Sequence, residues 1–424
     1  MSVLPPYSAR VLQPHDERAS VADFVALGAG RDDAITAVRR GSGRVLRLDA
    51  LDPGIGAALV HAFQGMGGVG YAGPSAYRVD GGPAATDVLL LGTAGQLEAL
   101  ADRLLATDSE GFALTQAITT ALSVATWGAG TIHLGRFRID LSRRVAVMGI
   151  LNVTPDSFHD GGKFLDPARA VEHGLAMVEE GADIIDVGGD SANGDAPEID
   201  AEEEIRRVEP VIRALASRVP VPIAIDTHRA RTAAAALDAG ASLVNDITGL
   251  ADPEMPATVA SGDAGLCIMH IKGRPKHFPP DWTYRNVMGD LVRFLTERTE
   301  RAVNAGVGRE RICVDPGIEF GKLIGHDLEI LRRLPELHAL GYPILVAASR
   351  KTLVGHVLGG LPSSERLEGT AAVNAYAIAR GARIVRVHDV RAMARVARMT
   401  EALVGMTVDG TPMARWRADG VPAD

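Results

Sequence analysis

The sequence has little cysteine and no long apolar or like-charged run, and these absences narrow the classes of protein. Only Cys267 and Cys313 are cysteines; they lack metal-site spacing and lie in apolar runs, so we expect buried thiols in a reducing compartment. No run of about 18 apolar residues occurs, and no basic N-terminal segment precedes an apolar stretch. Membrane insertion and secretion are therefore disfavoured. The net charge of -9 forms no long blocks, which disfavours nucleic-acid binding. We expect a cytoplasmic globular protein.

The first 138 residues are predicted to form a small α+β domain. Strand patterns occupy residues 45–48 and 88–91, and helical patterns occupy residues 53–63, 96–105 and 112–125. The glycine-rich stretch 65–70 invites comparison with a phosphate-binding loop, but no Gly-x-x-x-x-Gly-Lys-Ser/Thr pattern occurs in the chain. We therefore expect a turn at these glycines, and packing, dimerisation and stabilisation all stay open as roles for the domain.

Eight apolar runs that end in polar or charged residues organise the chain from residue 144 to residue 402. Continuous runs of Val, Ile, Leu and Met are typical of strands buried on both faces of a parallel sheet. The runs occupy residues 147–152, 184–187, 223–226, 243–246, 266–270, 312–315, 344–350 and 384–389. This stretch has the length of about 250 residues typical of an eight-stranded parallel β/α (TIM) barrel, whose active site lies at the strand ends. A doubly wound open sheet is the competing fold, but nothing marks a reversal point.

Helical segments with recognisable ends lie between the predicted strands. Asp166 is placed to cap a helix that begins at Pro167 and stops at Gly181. Asp200 and Glu203 form a capping-box-like start to the next helix. The inner stripe of that helix is predicted to contain Ile205, Val208, Ile212 and Leu215. The chain is thus predicted to have a barrel domain at residues 139–404 and a loose tail at residues 405–424.

The residues at the ends of the eight runs resemble one known family. In chain order the motifs are Asn-Val-Thr-Pro-Asp-Ser-Phe from Asn152, Asp186-Val187-Gly188-Gly189, Asp226-Thr227, Asn245-Asp246, Met269-His270, Asp315-Pro316-Gly317, Ser349-Arg350-Lys351 and Arg386-Val387-His388-Asp389. Their order and spacing resemble the dihydropteroate synthases along the whole barrel. The related pterin-binding domains of corrinoid methyltransferases lack the first and seventh motifs. Residues 86–92 also resemble the N-terminal extension of some long bacterial synthases.

The resemblance implies a transferase of folate biosynthesis. It would join 7,8-dihydropterin-6-ylmethyl diphosphate to 4-aminobenzoate and release pyrophosphate, with Mg²⁺ as cofactor and a homodimer as the assembly. By the same resemblance, Asp315 takes the pterin N–H groups, a pairing for which a buried carboxylate is a two-point acceptor. The residues implied to assist it at the pterin are Asn245, Asp226 and Asp186.

The remaining implied roles concern the diphosphate and the second substrate. Arg386 and His388 occupy alternate positions of the last strand, so both can face the departing pyrophosphate. Asn152 would offer its side-chain oxygen to Mg²⁺, which prefers oxygen ligands and bridges phosphates. The family resemblance places Lys351 near the pterin and the departing group, and Ser349 facing the aminobenzoate.

Two departures from the family pattern keep alternatives open. The family usually continues Glu-Ser-Thr-Arg-Pro-Gly after Gly189, whereas this chain has Asp190-Ser191-Ala192-Asn193-Gly194-Asp195. Glu319 also stands where the family usually has Gly. Arg274, Lys276 or His277 are candidates to supply the charge that Asn193 lacks. The sequence therefore favours an active dihydropteroate synthase with a reshaped aminobenzoate pocket. Alternatives are a pterin transferase that uses another arylamine of a methanopterin-like pathway, or a non-catalytic pterin-binding homologue.

Overall fold

The chain divides into two compact units, Met1–Thr126 and Trp127–Asp424, and each is described by itself. The computed structural model describes residues 25, 30–33, 35–36, 43–73, 85–105, 109–124, 130–154, 167–190, 197–277 and 282–406. The predicted cap at Asp166, most of the altered loop at residues 190–195 and most of the tail at 405–424 lie outside these residues. No helix in the described part of the chain is long and apolar enough to cross a bilayer.

The N-terminal unit is a three-stranded antiparallel sheet with helices packed around one core, as the predicted α+β class requires. Its elements are β1 (Gly43–Leu51), α1 (Pro53–Gln64), β2 (Val69–Ala72), β3 (Thr86–Thr93), α2 (Ala94–Leu105) and α3 (Ser109–Val124). The central strand is β3, and its buried positions alternate along the chain, with Val88 and Leu90 inward against Phe63 and Leu97. Strand β2 was not predicted, because four residues that include Gly70 form too short a pattern to read.

The second unit is a closed barrel of eight parallel strands, which confirms the predicted fold. A hairpin, β4 (Thr131–Leu134) and β5 (Phe137–Asp140), precedes it. The barrel strands are β6 (Ala146–Asn152), β7 (Ile184–Gly188), β8 (Ile223–Asp226), β9 (Leu243–Asp246), β10 (Gly265–Met269), β11 (Ile312–Asp315), β12 (Ile344–Val346) and β13 (Ala382–Val387). Strand β13 pairs with β6 and closes the ring. The predicted domain boundary near residue 138 falls within the hairpin.

Helices surround the barrel. They are α4 (Pro167–Glu180), α5 (Ala201–Ala216), α6 (Ala230–Ala239), α7 (Met255–Ala260), α8 (Val287–Asn304), α9 (Ile324–Arg332), α10 (Thr352–Val357), α11 (Leu367–Ala379) and α12 (Val390–Leu403). One core lies between the helices and the outside of the barrel, and a second fills its interior. The interior core includes Cys267 and Cys313, paired in register and both fully buried as free thiols, together with side chains of the hairpin.

The start of α5 shows where the sequence pattern was right and where it was incomplete. Asp200 accepts a hydrogen bond from the Glu203 amide at 2.8 Å, as predicted for its cap. Val208, Ile212 and Leu215 are buried, but Ile205 is only half-buried. Glu204 is buried instead, because its carboxylate accepts hydrogen bonds from Arg229 and Thr232, each at 2.8 Å.

Candidate active site

Three residues that share one row across neighbouring strands form the first part of the site. Asn152 ends β6 and pairs with Gly188 on β7, which in turn pairs with Asp226 at the end of β8. A Cβ on Gly188 would lie 3.4 Å from Asn152 Oδ1 and 3.7 Å from Asp226 Cβ. The glycine therefore lets the Asn152 amide oxygen and the Asp226 carboxylate face the same small space.

Arg386 on β13 connects two carboxylates from β7 and β8, which lie two and three strands away in the barrel. Its Nε donates to Asp186 Oδ2 and its Nη2 to Asp226 Oδ2, both at 2.6 Å. Asn245 Nδ2 also donates to Asp186 Oδ2, at 3.1 Å. Burial lowers the pKa of Arg386, but the charges of Asp186 and Asp226 more than offset it and raise the pKa. Burial raises the pKa of Asp226 to about 7 against the opposing charge of Arg386.

Asp315 and Lys351 form a second charged pair at the ends of β11 and β12. Asp315 is buried, and its Oδ1 accepts the Gly317 amide at 2.7 Å. Burial raises the pKa of Asp315, opposed first by the charge of Lys351. Lys351 Nζ donates to the Ile318 carbonyl at 2.6 Å and lies 4.8 Å from the centroid of the Phe320 ring. An ammonium is thereby held over the turn that follows Asp315.

Ser349 and His388 are in direct contact. Ser349 Oγ accepts the His388 backbone amide at 3.2 Å and lies 3.0 Å from His388 Nδ1. A buried serine that touches both the backbone and the ring fixes the imidazole at the end of β13. The structure thus places Ser349 against His388, a contact that the sequence did not predict.

A buried lysine and histidine lie beneath the turn after β11, and sequence reasoning gave neither a role there. Lys322 Nζ lies 2.9 Å from His270 Nδ1 and donates to the carbonyls of Gly317 and Phe320 at 2.7 and 3.1 Å. Burial lowers the pKa of Lys322 to about 7 and that of His270 to about 2. The lone pair of the neutral His270 ring at Nδ1 and these carbonyl oxygens accept the hydrogen bonds that Lys322 donates. The Met269-His270 and Phe320-Gly321-Lys322 stretches were the only sequence signals for it.

The rim beside Asp226 carries a cluster of paired charges around a cavity of about 260 Å³. Asp190 accepts from Lys276 at 2.8 Å and from Arg229 at 3.1 Å, and His277 lies 2.8 Å from Glu198 Oε1. Of the three basic residues proposed to replace the missing Arg, two are thus already paired. Arg274 is exposed, and its guanidinium has no partner among the described residues.

The donor set suits Mg²⁺ better than a softer metal. The described residues contain no group of three or more His, Cys, Asp or Glu side chains placed to hold a metal. Asn152 and Asp226 instead offer two oxygen donors near Gly188, and Mg²⁺ typically takes few protein oxygens and keeps several waters. These residues therefore fit an ion whose other ligands come from water and a bound phosphate.

A family model described as pterin binding enzyme matches residues 148–388. A dihydropteroate synthase of Synechocystis sp. is 43% identical over 273 residues, which cover 64% of this chain and 94% of that protein. The chain belongs to the dihydropteroate synthase family. It is therefore a transferase of folate biosynthesis. A crystal structure of the dihydropteroate synthase of Xanthomonas albilineans with 4-aminobenzoic acid is 38% identical; the match covers 64% of this chain and 98% of that one, with a TM-score of 0.59.

The match to one relative extends beyond the barrel into part of the N-terminal unit. A probable bifunctional folylpolyglutamate synthase/dihydropteroate synthase of Haloferax volcanii is 39% identical over 389 residues, which cover 88% of this chain and 44% of that protein. Because 88% of the chain is more than the unit Trp127–Asp424 contains, the match extends into the N-terminal unit. The Synechocystis match covers nearly all of a protein that is much shorter than this chain.

Proposed function

We propose that this dihydropteroate synthase joins 7,8-dihydropterin-6-ylmethyl diphosphate to 4-aminobenzoate, with release of pyrophosphate, at the carboxyl ends of the barrel strands. The observation that carries the proposal is the meeting of Asp315, Lys351 and Arg386 from three consecutive strands, close enough for each charge to act on the others. A carboxylate for the pterin and two cations for a departing anion are what this reaction requires.

The pterin is assigned to the buried carboxylate of Asp315. Its Oδ1 already accepts the Gly317 amide, and Oδ2 has no hydrogen-bond donor among the described residues. Asn245, Asp226 and Asp186 would complete the pterin pocket, with Asn245 and Arg386 holding Asp186 in place. Asp186 Oδ1 is buried and has no partner among the described residues, so a ligand N–H would satisfy it.

The pyrophosphate is assigned to the positive groups at the ends of β12 and β13. Arg386 uses Nε and Nη2 on two carboxylates, which leaves the two N–H groups of Nη1 for phosphate oxygens. His388, oriented by Ser349, and Lys351 would add further donors. Asn152 would hold Mg²⁺, with Asp226 nearby; the ion supplies charge neutralisation on the diphosphate when bound.

In the proposed mechanism the C–O bond to the diphosphate ionises first. Lys351, Arg386 and His388 stabilise the negative charge that develops on the leaving oxygen, which is the main catalytic contribution. The arylamine nitrogen then attacks the resonance-stabilised pterin cation, and its proton is lost afterwards. An arylamine is nucleophilic at neutral pH, so the reaction requires neither a covalent enzyme intermediate nor a dedicated base. Isolation of a pterin covalently attached to a protein side chain would contradict this order of events.

The aminobenzoate is assigned to the mouth of the barrel beside Phe320, Lys351 and Ser349. Lys276 and His277 already pair with Asp190 and Glu198, so Arg274 is the candidate for the charge that the altered loop lacks. Replacing Arg274 with Ala should then raise KM for 4-aminobenzoate while leaving the pterin Kd unchanged. Any effect of Lys276→Ala on KM should come mainly from loss of the ion pair between Lys276 and Asp190.

The decisive experiment is Mg²⁺-dependent pyrophosphate release from the dihydropterin diphosphate by purified protein, with and without 4-aminobenzoate. We expect release that depends on aminobenzoate, accompanied by dihydropteroate, and loss of both on chelation of the metal. Pterin binding without turnover would favour another arylamine or a non-catalytic homologue.

A homodimer is proposed on the surface formed by α10 and α11. Helix α11 carries small or apolar residues around most of its circumference, as helices buried on several sides do. Val357, Leu358 and Tyr376 are nevertheless 57%, 44% and 39% exposed. A second copy of the chain covering this surface would explain the pattern, and light scattering of wild type and Tyr376→Glu tests it.

The cytoplasmic location stays a prediction.

A further inference from the structure

Glu319 has a left-handed backbone conformation, which is unfavourable for a residue with a side chain. It lies between Gly317 and Gly321 in the turn after β11, and the three residues have φ values of 74°, 67° and 69°. A Cβ at Gly317 would lie 1.9 Å from the His270 carbonyl oxygen, and one at Gly321 2.3 Å from that of Lys272, so both must be glycine. Position 319 has the same left-handed backbone but keeps a charged side chain, at a cost that only specific contacts offset.

The side chain of Glu319 connects two loops of the active-site face. Its Oε1 accepts the backbone amide of Leu353 at 2.8 Å, near the start of α10. Its own amide donates to Asp327 Oδ1 at 3.0 Å. The N-cap residue of α10 is Lys351, whose side chain makes no capping hydrogen bond. Glu319 therefore provides from another loop the cap that α10 lacks.

The same turn surrounds the Lys351 ammonium. The Ile318 carbonyl oxygen accepts a hydrogen bond from the ammonium, and the Phe320 ring lies beside it. Since Lys351 immediately precedes α10, a contact that fixes the start of this helix also fixes the backbone from which Lys351 extends. Residues 318–320 thus determine the position of Lys351 from both ends of its side chain.

Charged groups from every element around Lys351 face it. They are Asp315 at the end of β11, Asp327 on α9, Arg386 on β13, and Glu319 and Lys322 in the turn. Burial lowers the pKa of Lys351, and the charge of Glu319 is the first of the opposing influences, ahead of Asp315 and Asp327. The acid at position 319 therefore favours the ammonium form.

We propose that Glu319 is a positioning residue for Lys351. Glu319 clamps the start of α10 to the turn after β11 and holds a negative charge beside the Lys351 ammonium. The family pattern has glycine at this position, so the clamp is a feature of this chain. Its value for catalysis rests on the proposed role of Lys351 at the departing diphosphate. The contacts themselves are testable without turnover.

The first test titrates the lysines by NMR after labelling of their Cε atoms. The chain has only five, Lys163, Lys272, Lys276, Lys322 and Lys351, and Lys351→Arg identifies the signal of interest. In Glu319→Gln the amide oxygen can still accept from Leu353, but the charge is gone. We expect the Lys351 midpoint to fall by about half a pH unit or more, and the Lys322 midpoint, in the same turn, to move less. An unchanged Lys351 midpoint would overturn the proposal.

The second test separates the clamp from the charge. Glu319→Gly removes both and suits the left-handed backbone, so the variant is expected to fold. Hydrogen exchange at the Leu353 amide should accelerate about tenfold or more in Glu319→Gly and stay near wild type in Glu319→Gln. Equal exchange in both variants would contradict the clamp. In active protein the alkaline limb of kcat/KM should move with the Lys351 midpoint; absence of turnover would count against the proposed function, not against these two readouts.

Discussion

At the scale of the residue, the pterin assignment depends on the charge of one carboxylate. Asp315→Asn keeps the size of the side chain but removes its charge and replaces one of the two acceptor oxygens with an NH₂ donor, which should weaken pterin binding by about 10- to 100-fold. Calorimetry with a pterin analogue measures the change. Asp246→Asn is the matched control, because Asp246 is equally buried at the end of β9, two strands away, but accepts hydrogen bonds from the amides of Thr248 and Leu250. Equal losses in both variants would remove Asp315 from the pterin site.

Replacing Arg386 should affect both catalysis and stability, because its guanidinium is assigned to the leaving pyrophosphate and also pairs with two carboxylates. Arg386→Ala should lower kcat by about 100-fold or more while changing pterin affinity less. It should also lower stability by about 3 kcal/mol, because Asp186 and Asp226 would lose their shared partner. Steady-state kinetics and denaturant unfolding separate the two effects. Wild-type kinetics in a folded Arg386→Ala protein would overturn the leaving-group assignment.

Lys322 links stability to pH. Its pKa is lowered to about 7 by burial, so above this pH the folded state holds fewer protons at this site than the unfolded state, where the pKa is near 10.5. Stability contributed by this site therefore rises with pH from about 7 to about 10 and is lost as pH falls, by at most about 1.4 kcal/mol per unit. The Tm of wild type minus the Tm of Lys322→Met should therefore become more positive as pH rises from about 7 to about 10. A difference that is constant with pH would contradict the buried, shifted lysine.

The types of the candidate residues could be recognised from the sequence, but their pairing could not. Asp186, Asp226 and Arg386 stood out because each ends or interrupts a buried apolar run. The 2.6 Å contacts between Arg386 and the two acids depend on β13 closing against β6, a contact between the ends of the barrel segment. The burial of Glu204 could not be predicted for the same reason: its partner Arg229 lies in the loop after β8 and is brought to it only by the tertiary fold.

At the scale of the element, the turn after β11 depends on glycine at a crowded position. Gly317→Ala should destabilise the protein by about 3 kcal/mol or more, because the new Cβ would meet the His270 carbonyl. Gly341→Ala is the control: its φ of 75° matches the 67° of Gly317, but nothing lies within 4 Å. That variant should lose only about 1 kcal/mol. Similar Tm values for the two would mean that the turn relaxes around the methyl group.

Elements buried on both faces were predictable, and short amphipathic ones were not. All eight barrel strands appear where continuous apolar runs predicted them, although β12 ends at Val346 rather than near Arg350. The hairpin of β4 and β5 escaped notice because two four-residue strands with half-exposed positions carry almost no periodic signal. The hairpin packs its buried side chains against the interior of the barrel, and this interior exists only once the eight strands have closed into a ring.

At the scale of the whole molecule, the two units have separate cores, so the barrel should fold without the N-terminal unit. A chain that begins at Trp127 is expected to keep its thermal transition and its pyrophosphate release. A chain that begins at Asp140 also loses Ile132, Leu134 and Phe137 from the barrel interior and should melt about 10 °C lower or more. Calorimetry of both chains beside full-length protein tests this. Failure of the longer one to fold would show that the barrel needs the N-terminal unit.

The two thiols of the chain lie side by side on β10 and β11, and neither is exposed. A thiol-specific reagent can reach them only when the barrel opens, and the N-terminal unit holds no cysteine that would obscure the signal. When opening and closing are fast compared with labelling, the modification rate gives the free energy of opening directly. Bound pterin should slow the labelling in proportion to its occupancy. The native sequence thus makes barrel opening, and its suppression by ligand, measurable without an added probe.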